Sequence, residues 1–448
     1  MSEVAEICSQ LLRIDTTNDG GGDGPGERRA AEYVAGLLDA AGLDPVVFES
    51  APRRTSVVAR VAGSGSSSAR GALLVHGHLD VVPADASEWR THPFSGEVED
   101  GLVHGRGAVD MKGSLSMTLA LTLDWARRGV RPKRDLVLAF LADEEATGEY
   151  GAGHAVERHR DLFDGCTEAI SESGGFTWHD GDVRLYPLAV GERGTAWMRL
   201  TARGVAGHGS KPAVDNPVAE LARALARLAD HRWPVRLTPE VAQLIDGLSR
   251  ALGTTIDLDR LDEEIERLPR AAALFRGVLR NSANPTMLDA GYKVNVIPGT
   301  ARAHVDGRFL PGQREEFLET IDRLLGPKVT REFVSFDDAV SSPAEGLYDE
   351  LATALLAEDP GARPVPYVMT GGTDAKWFAR LGIRGYGFAP LMLPPDLDYF
   401  GMFHGVDERV PVKGLEFGVR VLDRLLAAPA AKPDAAQPGS RAWPRPLP

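Results

Sequence analysis

The sequence predicts an α/β protein: a mostly parallel sheet covered by helices, interrupted by an inserted ferredoxin-like α+β sandwich. Three patterns predict it. Strand-type and helix-type runs alternate over residues 1–190. A β-α-β-β-α-β order follows Gly191. The first alternation then resumes after about residue 339 and continues to 427.

The elements follow in order. Residues 27–42, ERRAAEYVAGLLDAAG, carry apolar residues at helical spacing and end on a glycine suited to a C-cap. Short β-type runs lie at 56–61, 72–75, 136–142 and 168–170, with a helical pattern over 114–128 between the second and third. Within 191–338, strands are expected at 194–204, 287–296, 300–309 and 328–336, and helices at 216–231 and 313–325. Residues 234–286 interrupt this order with helical patterns and the acidic run DLDRLDEEIERL, and read as an insertion. The Ala- and Pro-rich tail, 428–448, is expected to be disordered. One domain, 1–190 with 339–427, is thus split by another, 191–338.

Composition excludes several classes of function. At 448 residues with 43% hydrophobic and 25% charged residues, the chain is long enough for two globular cores. Its net charge of −14 argues against nucleic acid as a partner. Two cysteines, Cys8 and Cys166, cannot build a disulfide framework or a Cys-rich zinc module. The apolar run 136–142 is far short of a bilayer span, and MSEVAEICSQ lacks the basic and apolar regions of a signal peptide. A reducing, cytoplasmic location without membrane association is the expectation. No Gly-x-Ser-x-Gly elbow or Walker-type loop occurs.

The chemistry is concentrated where the expected parallel strands end. The run 72–75 leads into His76-Gly-His78-Leu-Asp80, 136–142 into Asp143-Glu144-Glu145, and 168–170 into Ser171-Glu172. Open α/β sheets place their sites at these carboxyl ends. A further cluster, GRGAVDMKG with Asp110, precedes a helix. Gathered together, so many carboxylates could not stay ionised without a cation, and two histidines with several carboxylates suit zinc, cobalt or manganese. Of the adjacent pair Glu144-Glu145, one can bind metal while the other serves as base.

The stretches HGHLDVVP, GRGAVDMKG, ADEEATG, SESGG and FHGVDERV, in this order between about residues 8 and 425, resemble the motifs of the aminoacylase, acetylornithine deacetylase, succinyl-diaminopimelate desuccinylase and carboxypeptidase G family of co-catalytic zinc metallopeptidases. The resemblance implies a zinc-hydrolase catalytic domain with an inserted lid and dimerisation domain, two Zn2+ ions (Co2+ or Mn2+ as substitutes) and a homodimer. It implies His78, Asp110, Glu145, Glu172 and His404 as metal ligands, with Asp110 bridging. Glu144 would be the general base and Asp80 the carboxylate that orients His78. A cis peptide is implied after Asp110. In the inserted module, GVAGHGSKP resembles the motif of a lid histidine, His208, that donates to an oxyanion across the dimer. Asn295 and Arg308 resemble residues that hold a substrate carboxylate. The run Gly371-Gly372-Thr373-Asp374 resembles a pocket-lining loop, with Gly372 and Thr373 as contacts.

The expected activity is metal-dependent hydrolysis of an amide bond in an N-acyl amino acid or short peptide with a free carboxylate. Two other classes compete: a non-catalytic metal-binding homologue, and an interaction protein that docks partners through the inserted module.

Overall fold

The computed structural model describes residues 1–65 and 68–428. The tail expected to be disordered lies outside the described residues from 429 onward. Packing divides the described residues into two units: 1–190 with 342–366 and 373–428, and 191–341 with 367–372.

The first unit begins with helices α1 (Glu3–Leu12) and α2 (Arg28–Ala40) and a hairpin of β1 (Val46–Ala51) and β2 (Arg54–Val61). Strand β3 (Ala72–His78) is buried along its whole length, so its side chains read as a continuous apolar run rather than an alternation. After the short β4 (Val98–Glu99) and β5 (Leu102–His104), helix α3 (Lys112–Arg128) ends on Gly129 in the left-handed region, φ +67°. Strand β6 (Leu136–Leu141), the short α4 (His154–Arg158), β7 (Cys166–Ser171), β8 (Trp178–Asp180) and β9 (Val183–Glu192) follow.

In the second unit, β10 (Gly194–Arg203), a short β11 (Gly207–His208) and α5 (Pro217–Asp230) come first. Asn216 caps α5 by accepting the Val218 N–H, with Pro217 in the first turn. The insertion forms α6 (Pro239–Leu252), α7 (Leu261–Arg267) and α8 (Pro269–Phe275). Then come β12 (Ser282–Ala290), β13 (Val296–Ile297), β14 (Thr300–Phe309), α9 (Arg314–Leu325), β15 (Val329–Asp337) and β16 (Val340–Ser341). The antiparallel order β12-β14-β10-β15 is the ferredoxin-like arrangement. Strand β12 lies five residues earlier than the expected 287–296, and residues 291–295 are a turn. Pro285 hides the strand from a sequence reading. The fold tolerates it because β12 is an edge, with a register shift between Pro285 and Met287.

The chain continues with α10 (Leu347–Glu358), β17 (Ala362–Met369), whose last three residues fall in the second unit, and α11 (Ala375–Ala379), β18 (Arg384–Gly387), β19 (Arg409–Pro411) and α12 (Val412–Leu426) of the first. The large sheet runs β1-β2-β6-β3-β7-β18-β9. Its centre, β6-β3-β7-β18, is parallel, while β2 and β9 join antiparallel. The β1-β2 hairpin forms one flank, where β2 pairs antiparallel with β6 although β3 and α3 separate the two in the chain. The three central strand ends β3, β6 and β7 therefore open on one edge of the sheet. No helix among the described residues is long and apolar enough to cross a membrane.

Candidate metal centre

His78 is the last residue of β3, one position inside the strand rather than beyond it. Its Nδ1–H donates to the main-chain carbonyl of Asp80 at 3.0 Å, while the Asp80 carboxylate stands 3.6 Å away. Its Nε2 lies 3.1 Å from Asp110 Oδ1 and 3.6 Å from Glu172 Oε2, so a protonated ring donates there as well. Asp80 thus orients the imidazole through its carbonyl. Its carboxylate accepts the Glu144 N–H (3.2 Å), the Glu145 N–H (3.1 Å) and Asn18 Nδ2–H (2.8 Å), and so holds the loop that follows β6.

That loop is a tight turn rather than the start of a regular helix. Asp143 adopts φ +69°, and its carbonyl accepts the N–H groups of Ala146, Thr147 and Gly148. Asp110 ends the glycine-rich segment before α3, and the Asp110–Met111 peptide is cis. Glu172 follows β7 directly. His404 lies before β19, with Nε2 3.3 Å from Asp110 Oδ2 and 3.1 Å from Glu145 Oε2.

Among the described residues two donor groups result: His78, Asp110 and Glu172, and Asp110, Glu145 and His404. Within each, the ligand atoms lie within 4.8 Å of one another, and Asp110 offers a different oxygen to each group. Glu144 belongs to neither, yet its carboxylate is 3.9 Å from His78 Nε2.

The electrostatics match an excess of buried negative charge. Burial, together with Glu172, pushes Glu144 well above the usual carboxylate range. Burial and Asp110 push Glu172 up to about 7 and raise Glu145 as well. Hydrogen bonds to Asp110 and Glu145 carry His404 up to about 10. Burial opposes charge on His78, but Glu172, Asp110 and Asp80 outweigh it and raise its pKa. Burial also opposes charge on Asp110, yet His404 and His78 hold it below its ordinary value. Protons here occupy the role a multivalent cation would fill, so the donor set fits a pair of metal ions of the borderline type.

The other expected site residues lie apart from this cluster in the chain. His208 and Asn295 are exposed in the second unit and come together there: β11 pairs with β13, and the Gly209 N–H donates to the Asn295 carbonyl at 2.8 Å. His208 Nδ1 accepts from the Ser210 N–H at 3.2 Å, which leaves Nε2 to carry the proton of a neutral ring. Arg308 on β14 turns its fork to Asp306 (2.7 and 3.3 Å) and donates Nη1–H to Thr195 at 2.9 Å. The run 371–374 is divided. Gly372 is exposed in the second unit, whereas Thr373 is buried in the first and accepts the Ala375 N–H at 3.1 Å. His76 is buried against the Phe378 ring and joins neither donor group.

Sequence reasoning missed Asn18. Its amide bridges Asp80 and Asp143 (3.2 Å) on one side and accepts from Arg54 (2.6 Å) on the other. No local motif surrounds it, and only the contact across 62 residues reveals it. Glu408 was also unassigned, although it lies inside the run FHGVDERV.

Comparison with known proteins gives a consistent picture. A family model described as peptidase family M20/M25/M40 matches residues 74–428. Succinyl-diaminopimelate desuccinylase of Xanthobacter autotrophicus is 30% identical over 439 residues, covering 94% of this chain and 98% of the relative. The N-fatty-acyl-amino acid synthase/hydrolase PM20D1 of Xenopus tropicalis is 29% identical over 366 residues, 78% of this chain and 70% of the relative. Among solved structures, the M20 family metallo-carboxypeptidase Sso-CP2 from Sulfolobus solfataricus superposes with a TM-score of 0.70 at 20% identity, covering 95% of this chain and 98% of that one.

Proposed function

This chain belongs to peptidase family M20/M25/M40, a family of hydrolases, and from that premise we propose that it is a dinuclear zinc amidohydrolase acting on an N-acyl amino acid or short peptide. One observation carries the reading: Asp110 serves two donor groups at once, and the neighbouring Glu144 is left outside both.

His78, Asp110 and Glu172 would hold one ion, and Asp110, Glu145 and His404 the other. Bound there, the pair supplies Lewis acidity for both water and the amide carbonyl. Glu144, close to the donor groups but outside both, takes a proton from the attacking water at its carboxylate and returns it to the departing amine nitrogen. Asp80 keeps Glu144 in place through the Glu144 N–H. The second unit acts as lid and dimerisation module. From the partner subunit, a histidine at position 208 donates its Nε2–H to the developing oxyanion. Asn295 and Arg308 engage the substrate carboxylate, for which Arg308 must exchange its fork from Asp306. Gly372 and Thr373 line the acyl or side-chain pocket. Relatives named for fatty-acyl and succinyl amino acids put N-acyl amino acids first among substrates.

A panel of N-acyl amino acids, including long-chain and succinyl derivatives, and dipeptides tests this with protein reconstituted in zinc, cobalt or manganese. Hydrolysis of at least one class is expected. Glu144→Gln should keep both ions and lose about 10²–10⁴ in turnover on that substrate. Turnover of Glu144→Gln within tenfold of wild type would remove Glu144 from the base role.

A further inference from the structure

Glu408 is fully buried, four residues after His404 and immediately before β19. Three of its contacts reach into the segment that carries Asp110. Its main-chain carbonyl accepts the Gly105 N–H at 2.9 Å, its Oε2 accepts the Gly107 N–H, and Arg106 Nη1 lies 3.4 Å from the same oxygen. The ladder of β19 with β5, Arg409 opposite His104, continues the tie. Gly107 packs closely against its neighbours. It adopts φ +91°, and a Cβ there would meet Val81 at 2.8 Å and Lys112 at 3.1 Å. Without the Glu408 oxygen, the Gly107 N–H would lose its acceptor inside the protein, and the loop would shift to regain one.

The two donor groups respond differently to such a shift. His404 contributes to the second group alone, and Asp110 is held toward the first by His78. Resting on the two-ion reading, we propose that Glu408 is a positioning residue. By pinning the His404 loop to the Gly105–Asp110 loop, it sets the His404–Asp110 spacing and so governs how tightly the second ion is held. The requirement is for an acceptor oxygen rather than for charge. Burial raises the Glu408 carboxyl to about 8 despite Arg106, so a neutral side chain suits this environment.

The test uses the full chain: stepwise zinc affinity by chelator competition, the visible spectrum of the cobalt form, and melting of the metal-free protein. Wild type should bind two ions. Glu408→Ala should leave one zinc affinity at its wild-type value and weaken the other at least about tenfold, with an altered cobalt spectrum. Glu408→Gln, which keeps an oxygen for Gly107, should recover most of that loss. Should Glu408→Ala fail to fold, Glu408→Asp, whose carboxylate stops one methylene short, carries the same expectation. Two wild-type affinities in these variants would overturn the proposal. So would equal weakening of both sites alongside a lowered melting point that Glu408→Gln does not rescue, since that marks a purely structural role. A wild type that binds fewer than two ions would instead overturn the two-ion reading itself.

Discussion

Asp359 shows what one buried carboxylate does away from the candidate metal centre. It accepts Nε–H and Nη2–H of Arg184 (2.8 and 2.6 Å), the Tyr186 hydroxyl (3.1 Å) and the Gly361 N–H (3.0 Å), and so ties the end of α10 to β9. The Arg184 hydrogen bonds, against a smaller opposing effect of burial, hold its pKa below the ordinary value. A depressed carboxylate stabilises fully above its unfolded pKa, about 3.9, and loses that contribution as pH falls through the folded value. Arg184 is 37% exposed, so solvent screens part of the pairing. Asp359→Asn should therefore cost on the order of 1–2 kcal/mol at neutral pH. The gap from wild type should persist down to about pH 4 and close below it, as urea unfolding at several pH values would show. A gap that widened on acidification would refute the assignment. Legibility at this scale follows locality. His78, Asp110, Glu144, Glu145, Glu172 and His404 sit in short motifs beside apolar runs and could be singled out. Asn18 and Arg54 could not, because their partners are set only by the meeting of distant segments.

Helix packing adds a constraint that propensity alone would miss. Gly418 on α12 faces α3 so closely that a Cβ would lie 2.1 Å from Met117 Sδ and 2.4 Å from the Pro390 carbonyl. Gly36 on α2 is exposed, and a methyl group there would meet nothing within 4 Å. Both are glycines inside helices, where alanine is intrinsically better by ~0.5–1 kcal/mol. Gly36→Ala should gain about that much stability, whereas Gly418→Ala should lose ~1–3 kcal/mol through overpacking. Opposite signs in denaturant unfolding are the expected result, and equal signs would contradict the close approach of α12 to α3. The same contrast explains which elements were readable. Strands β3, β6 and β14 stand out as apolar or alternating runs. Strand β12 does not, because its position is decided by pairing with β14 across a proline-containing edge.

At the scale of the molecule, the proposed homodimer makes a prediction of its own. If His208 acts on the partner subunit's metal centre, Asp110→Ala and His208→Ala proteins should each be nearly inactive alone. Mixed and allowed to reassociate at random, they should recover on the order of a quarter of wild-type activity, since half the dimers would carry one complete site. No recovery despite demonstrated subunit exchange would place His208 outside the reaction or within its own chain. The ferredoxin-like order of the second unit was legible from its alternation of strand and helix patterns, and the parallel centre of the first from helices between apolar runs. The antiparallel flank was not, because β2 and β6 lie far apart in the chain and only their pairing sets their relative direction. Which side chains could bear the chemistry was legible in the chain alone, since ligand types and strand-end motifs are local properties. Folding alone settled that Asp110 belongs to both donor groups while Glu144 belongs to neither, and that the Asp80 carboxylate holds the Glu144-Glu145 loop. Those outcomes depend on distances between segments tens to hundreds of residues apart, which burial and strand pairing set together.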